Sequence, residues 1–218
     1  MSKSSVIERR PLATIPPVVI QRAIDALHAG EAVVYPTETL YALGVDALSP
    51  AALENLFAIK GRDPGKPVAL IASDVPMAFS LAREVSARAR ALAAAFWPGP
   101  LTLVLPARDG VPAVLTGEDG GVGVRVSSHP VATALAAGVG RPITATSANR
   151  AGQEPTADPD EARRVFGRNM HPFLDGGRLA GGAPSTVVAL RESSMRIIRA
   201  GVVSEADIAA ILAGKALD

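Results

Sequence analysis

The sequence predicts an α/β fold, a twisted sheet of mixed parallel and antiparallel strands flanked by helices. Three observations predict it. Segments with the apolar period of a helix alternate with short apolar runs of strand length from residue 16 onward. The last strand-like runs follow one another closely, which points to some antiparallel pairing there. The chain has 218 residues, 48% apolar and 20% charged, which suits a folded chain that buries a sizeable core. No internal repeat, low-complexity tract or linker divides it. A single domain over residues 1–218 is expected, with its core between 16 and 201.

The elements follow in order. Thr14 is placed to cap a helix that starts near Pro16-Pro17 and ends at Gly30, with Ile20, Ile24 and Leu27 on its apolar face. Residues 31–36 (EAVVYP) read as a strand. Ser49-Pro50 opens a second helix that buries Leu53, Leu56 and Phe57 and ends at Gly61. Residues 68–72 form a short apolar strand, helices follow around 74–82 and 85–95, and 101–105 is the next strand. Residues 109–121 form a loop rich in Gly and Pro. Along 122–126 the Val residues share one face and Gly123 and Arg125 the other. A helix over 129–137 and a strand over 143–146 come next, then a polar loop over 147–160 and a short helix over 160–166. Strands near 171–174, 185–190 and 195–199 precede a last helix, 204–213, capped by Ser204.

Composition excludes several functions. Lys plus Arg is 22 and Asp plus Glu is 21, so the net charge is +1, unlike a surface built throughout for nucleic acid. The chain has no Cys, which removes disulfides, a thiolate nucleophile and any Cys-based metal site, and fits a cytoplasmic setting. No run reaches the ~18 apolar residues of a membrane span. Arg9-Arg10 and the apolar stretch after it mimic an export signal, but Pro16-Pro17 breaks that stretch and no small-x-small site follows, so export is not expected. His28, His129 and His171 lack partners at metal-ligand spacing and read as surface or capping histidines. Residues 61–67 (GRDPGKP) fall short of a phosphate loop: only three residues separate the glycines, and Pro67 stands where Ser or Thr would hold Mg²⁺.

Four segments carry chemistry. In 35–44 (YPTETLYALG), Pro36 ends a strand and Thr37 and Thr39 follow, where ligands of α/β sheets sit; a plain turn tied by Thr hydroxyls is the alternative. Lys60, Arg62 and Lys66 put three cations within seven residues on a stiff Pro/Gly turn. They are either favourable charges at a helix C-terminus or a compact site for a polyphosphate. Arg125 faces solvent, or reaches a cleft where a carboxylate or phosphate waits; Gly123 beside it leaves room and favours the cleft. In 143–152 (ITATSANRAG) a buried strand runs out into Thr146, Ser147 and Asn149, which either cap the chain or bind phosphate or sugar. Pro184-Ser185-Thr186 entering a strand, and Arg199-Ala200-Gly201 leaving one, are weaker signals alone.

Taken together and in this order, the stretches YPTETLYALG, KGRDPGKP, WPGPLTLVLP, VGVRVSSHP, TSANRAGQEPT, PSTVV and IIRAG resemble the YrdC/TsaC family, the threonylcarbamoyl-AMP synthases of tRNA modification. They span residues 35 to 201, and the chain resembles the family's short form. The resemblance implies a YrdC-like domain with a large open cavity lined by positive charge. It implies a nucleotidyltransferase that makes L-threonylcarbamoyl-AMP from ATP, L-threonine and bicarbonate and releases pyrophosphate. A downstream threonylcarbamoyl-transfer enzyme would then modify an adenosine of tRNA. Residue by residue, Lys60, Arg62, Ser147 and Asn149 match the catalytic and nucleotide-binding positions, with Lys66, Thr146 and Arg199 also on the nucleotide side. Thr39, Arg125 and Ser185 match positions that hold threonine. Mg²⁺ is expected to arrive on the ATP phosphates, with no metal site of the protein's own. Three positions depart from the family pattern: Ala42 replaces a usual Gly, Lys66-Pro67-Val68 replaces Asn-Pro-Leu, and Ile71 replaces a His that touches threonine.

Two other functions are weighed against this. A carbamoyl-transfer module of the hydrogenase-maturation type normally sits in a much longer chain with zinc-finger parts, which a chain of 218 residues without Cys lacks. A non-catalytic RNA-binding module would use the same basic residues, but 4% aromatic content leaves few stacking platforms. RNA binding is thus at most a secondary, weak property. No membrane partner is expected.

Overall fold

The computed structural model describes residues 15–61, 67–150, 152–166, 172–190 and 194–214. Two sheets and seven helices carry them. The smaller sheet joins β1 (Val33–Pro36), β2 (Tyr41–Gly44) and β7 (Thr146–Ser147), all antiparallel. The larger runs β6 (Ile143–Thr144), β3 (Leu70–Ala72), β5 (Gly121–Val126), β4 (Leu101–Pro106), β8 (Thr186–Leu190) and β9 (Met195–Arg199). Its β3–β5 and β4–β8 pairs are parallel and the others antiparallel, so the mixed α/β sheet read from the sequence is present.

The helices form where caps and periodicity place them. α1 (Pro17–His28) buries Ile24 and Leu27, with Pro16 at its N-cap and no side-chain cap; Thr14 lies outside the described residues. α2 (Pro50–Lys60) opens with the Ser49 hydroxyl accepting from Ala52 N, and stops at Gly61, whose φ of 59° is the left-handed conformation a C-terminal cap needs. α3 (Val75–Phe79) and α4 (Ala87–Phe96) are capped by Asp74 and Ser86. α5 (Pro130–Val139) is capped by His129, whose Nδ1 accepts from Val131 N at 3.2 Å, which fits the capping role read for that histidine. α6 (Pro159–Phe166) and α7 (Glu205–Leu212) complete the set, Ser204 capping the last. α1 and α5 pack closely because Gly138 has no side chain: a Cβ there would stand 2.2 Å from Ile24 Cδ1.

Three differences from the sequence reading shape the site. The turn after Pro36 is tighter than a strand end, and Tyr41–Gly44 returns as β2, so residues 33–44 form a hairpin. The strand expected over 143–146 is two strands in different sheets. Ala145 sits between them with its N–H on Ala69 O, and β7 then pairs with β2. The strand expected near 171–174 is reduced to an isolated bridge between Val34 and Phe173; residue 171 lies outside the described residues.

Alternation along the large sheet decides which face is core. Leu101, Leu103 and Leu105 of β4 and Val122, Val124 and Val126 of β5 are buried in one cluster with Ala89, Leu92 and Ala93 of α4 and Ile208 of α7. Residues between them point to the opposite face. No helix of the described residues is long and apolar enough to cross a membrane.

Candidate active site

That opposite face is the floor of a cavity of about 490 Å³, within the usual range for small-molecule sites. β4 supplies Thr102 and Val104, β5 supplies Gly121, Gly123 and Arg125, and Ser185 and Val187 follow the same two-residue period along β8. Ile198 and Arg199 of β9 close one side. The small sheet stands opposite with Thr37, Thr39, Ala42, Thr146 and Ser147. Gly123 keeps the floor open: a Cβ there would already reach Thr102 Cγ2 at 3.4 Å.

Several of the charged and hydroxylic groups are held from behind. Thr37 makes the turn: its hydroxyl donates to Leu40 O at 2.7 Å and accepts from Leu40 N at 3.3 Å, which leaves Thr39 beside it on the cavity wall. Arg125, 5% exposed, is ion-paired to Glu38. Arg199 donates through Nη2 to the Ser185 carbonyl at 2.7 Å and to its hydroxyl at 2.9 Å. The Ser185 hydroxyl also lies 3.0 Å from Thr102 Oγ1, so two neighbours fix its orientation. Partial burial, and next the Arg125 charge, push the Arg199 guanidinium below its usual value, though an arginine stays a cation at neutral pH.

Lys60, Ser147 and Asn149 meet as one cluster. The buried Lys60 ammonium donates to Ser147 O at 2.7 Å, Asn149 O at 2.5 Å and Asn149 Oδ1 at 2.9 Å. The Ser147 hydroxyl donates to Asn149 Oδ1 at 2.6 Å, and Asn149 Nδ2 donates to Gln153 O. Ser147 lines the cavity; Lys60 and Asn149 are not among its lining residues and brace the wall from behind. Arg62 and Lys66 lie outside the described residues, between Lys60 and Pro67, and Pro67 lines the cavity.

Thus Thr39, Arg125, Thr146, Ser147, Ser185 and Arg199, far apart in sequence, face one hollow. Ile71, by contrast, is fully buried in the cluster beneath α1 and α5. Sequence reasoning missed Glu38, Thr102 and Ser127. A polar residue inside the apolar run LTLVL was a signal for Thr102. The partnership of Glu38 with Arg125 and Ser127 spans 87 and 89 residues and has no local signature.

Two guanidinium groups and a ring of hydroxyls around a hollow of this size have the chemical make-up of a site for small anionic molecules. Comparison with known proteins narrows that class. The chain belongs to the Sua5/YciO/YrdC family, whose model, described as "Telomere recombination", matches residues 25–201. A threonylcarbamoyl-AMP synthase of Alkalilimnicola ehrlichii is 41% identical over 165 residues, covering 76% of this chain and 86% of that protein. The threonylcarbamoyl-AMP synthase of Pyrococcus abyssi is 36% identical over 209 residues, covering 91% of this chain but only 61% of that protein. The crystal structure of P. abyssi Sua5 complexed with L-threonine superposes with a TM-score of 0.84 at 35% identity, covering 88% of this chain and 57% of that one.

Proposed function

We infer that this chain makes L-threonylcarbamoyl-AMP from L-threonine, bicarbonate and ATP, releasing pyrophosphate, and supplies the product for N6-threonylcarbamoyladenosine modification of tRNA in the cytoplasm. The observation that carries this is the convergence of Thr39, Arg125 and Ser185 with Thr146, Ser147 and Arg199 on one cavity. The relatives named as synthases and the neighbour holding threonine support it.

The chemistry fits the residues. Threonine's amine and bicarbonate give N-carboxythreonine, with loss of water. One oxygen of its new carboxylate attacks the α-phosphorus of ATP; the bond to the β-phosphate bridging oxygen breaks, and pyrophosphate leaves. Such a displacement needs positioning and charge neutralisation rather than a protein nucleophile. Arg125 takes the amino acid's carboxylate, and Ser185 and Thr39 bind its remaining polar groups. Thr146, Ser147 and Arg199 face the nucleotide. Arg62 and Lys66 belong to the same segment as Lys60 and are proposed to add charge there. Lys60 serves by holding the 147–149 loop in place. Mg²⁺ arriving on ATP would offset phosphate charge, with the cavity's hydroxyls and cations binding the nucleotide that carries it.

The test is direct. The protein is incubated with ATP, Mg²⁺, threonine and bicarbonate, and pyrophosphate is measured. Release that requires both threonine and bicarbonate supports the assignment. Release unchanged when either is omitted refutes it.

A further inference from the structure

A residue outside the cavity lining holds one of the guanidinium groups that line it. The inference rests on the reading of Arg125 as the carboxylate's partner. Glu38 sits in the turn between β1 and β2, its side chain 13% exposed. One carboxylate oxygen accepts from Arg125 Nη1 and the other from the Ser127 hydroxyl. That hydroxyl itself accepts from His129 N at 3.2 Å, so the carboxylate is tied to the start of α5. Among the described residues Glu38 is the only hydrogen-bond partner of the Arg125 guanidinium. A guanidinium has five N–H donors. Those of Arg125 not facing Glu38 are not sealed in, since His129 Nε2 is the only fully buried, unpartnered polar side-chain atom among the described residues.

A long side chain on a cavity floor beside Gly123 has rotamers to choose from, and a ligand must otherwise bear the cost of ordering it. We propose that Glu38 is a positioning residue: braced by Ser127, it pins the Arg125 guanidinium so that its remaining donors face a substrate carboxylate. Glu38 itself touches no substrate. Replacement by Gln separates geometry from charge, because the amide oxygen still accepts from Arg125 and the amide N–H₂ can donate to Ser127.

The test is calorimetric titration of the full chain with L-threonine and with L-threoninamide, in which a neutral amide replaces the carboxylate. The wild type prefers threonine. Glu38→Ala lowers that preference about tenfold, the worth of one charged hydrogen bond, with the KM for ATP unchanged. Glu38→Gln keeps the preference. Equal weakening of both ligands in Glu38→Ala, or an unaltered preference, overturns the proposal, as does a loss in Glu38→Gln as large as in Glu38→Ala. If Glu38→Ala does not fold, Ser127→Ala decides: a preference lower by about threefold is expected, at the low end for a hydrogen bond, and an unaltered one refutes. A wild type without any preference for threonine overturns the reading of Arg125, and this inference with it, before any variant is made.

Discussion

Lys60→Met tests whether the ammonium beneath the cavity wall holds that wall. Met keeps an unbranched apolar stem and removes the charge and its donors. Lys60 is 4% exposed, and its Nζ donates to three oxygens of residues 147–149 at 2.5 to 2.9 Å. Leaving a buried acceptor without its donor typically costs about 1–3 kcal/mol, and three neutral oxygens lose theirs here. The 147–149 loop borders an open cavity, so water can re-satisfy some of those oxygens, and about 3 kcal/mol is expected. In a chain of this size that lowers Tm by roughly 6–12 °C. Activity should fall further than stability explains, because a displacement of about 1 Å in a positioning group can cost ~100-fold in rate. Thermal unfolding gives the first number and pyrophosphate release below the variant's Tm the second. Asn149→Ala, alone and combined with Lys60→Met, completes a cycle whose coupling should be about 1–3 kcal/mol. A Lys60→Met protein within about 1 kcal/mol of wild type, or strict additivity with Asn149→Ala, would show that the ammonium is not what fixes the loop.

Three further outcomes follow from the same geometry. Gly123→Val should fold, yet raise the KM for threonine roughly tenfold, equivalent to about 1.4 kcal/mol of binding, since an added side chain occupies the cavity floor beside Arg125; steady-state kinetics with a KM within about twofold of wild type would contradict it. Gly201→Ala should destabilise by more than about 3 kcal/mol, because its Cβ would stand 2.2 Å from Pro184 O and 2.5 Å from Thr186 N; a wild-type Tm would contradict it. His129 has its pKa lowered from 6.5, chiefly by burial and against the opposing charge of Glu38. The unfolded chain therefore binds that proton more readily, and stability is lost as pH falls below about 6.5. His129→Asn keeps a capping side chain and removes the titration, so its Tm should fall less than the wild type's between pH 7.5 and 5.5; equal falls would assign the pH dependence elsewhere.

How much of this was legible in the sequence varies with the range of the interaction involved. Ser49 and Gly61 mark the ends of α2 because caps act through atoms a few residues away. The alternation of Val122, Val124 and Val126 put Arg125 on the face away from the core, which is where it stands. β2 was hidden because YALG follows directly on a turn, and its strand character comes from pairing with β1 and β7 rather than from its own pattern. The run ITATS looks continuous, but neighbours split it: β3 captures Ile143 and Thr144, and β2 captures Thr146 and Ser147. Lys60 carried the right association with Ser147 and Asn149, but its place behind the wall depends on where the 147–149 loop crosses the end of α2. Glu38 was invisible for the same reason: its partners lie 87 and 89 residues away.

Those long-range contacts share one physical logic. A cation at the edge of a cavity loses part of its hydration whether or not a ligand is present. Each basic side chain described around this cavity has an internal acceptor that offsets the loss: Arg125 has the Glu38 carboxylate, Arg199 the Ser185 carbonyl and hydroxyl, and Lys60 three oxygens of the 147–149 loop. Without those acceptors the side chains would swing to solvent and the hollow would have to be assembled anew at each encounter. With them, the donors left over are fixed before a ligand arrives, which is the condition under which electrostatic stabilisation is effective. The acceptors come from both sides of the cavity: Glu38 sits in the hairpin of the small sheet, and Ser185 leads into the large one. Of these bonds the Arg125–Glu38 pair is the one that crosses from the large sheet to the hairpin of the small one, so settling that charge also ties the two walls of the cavity together.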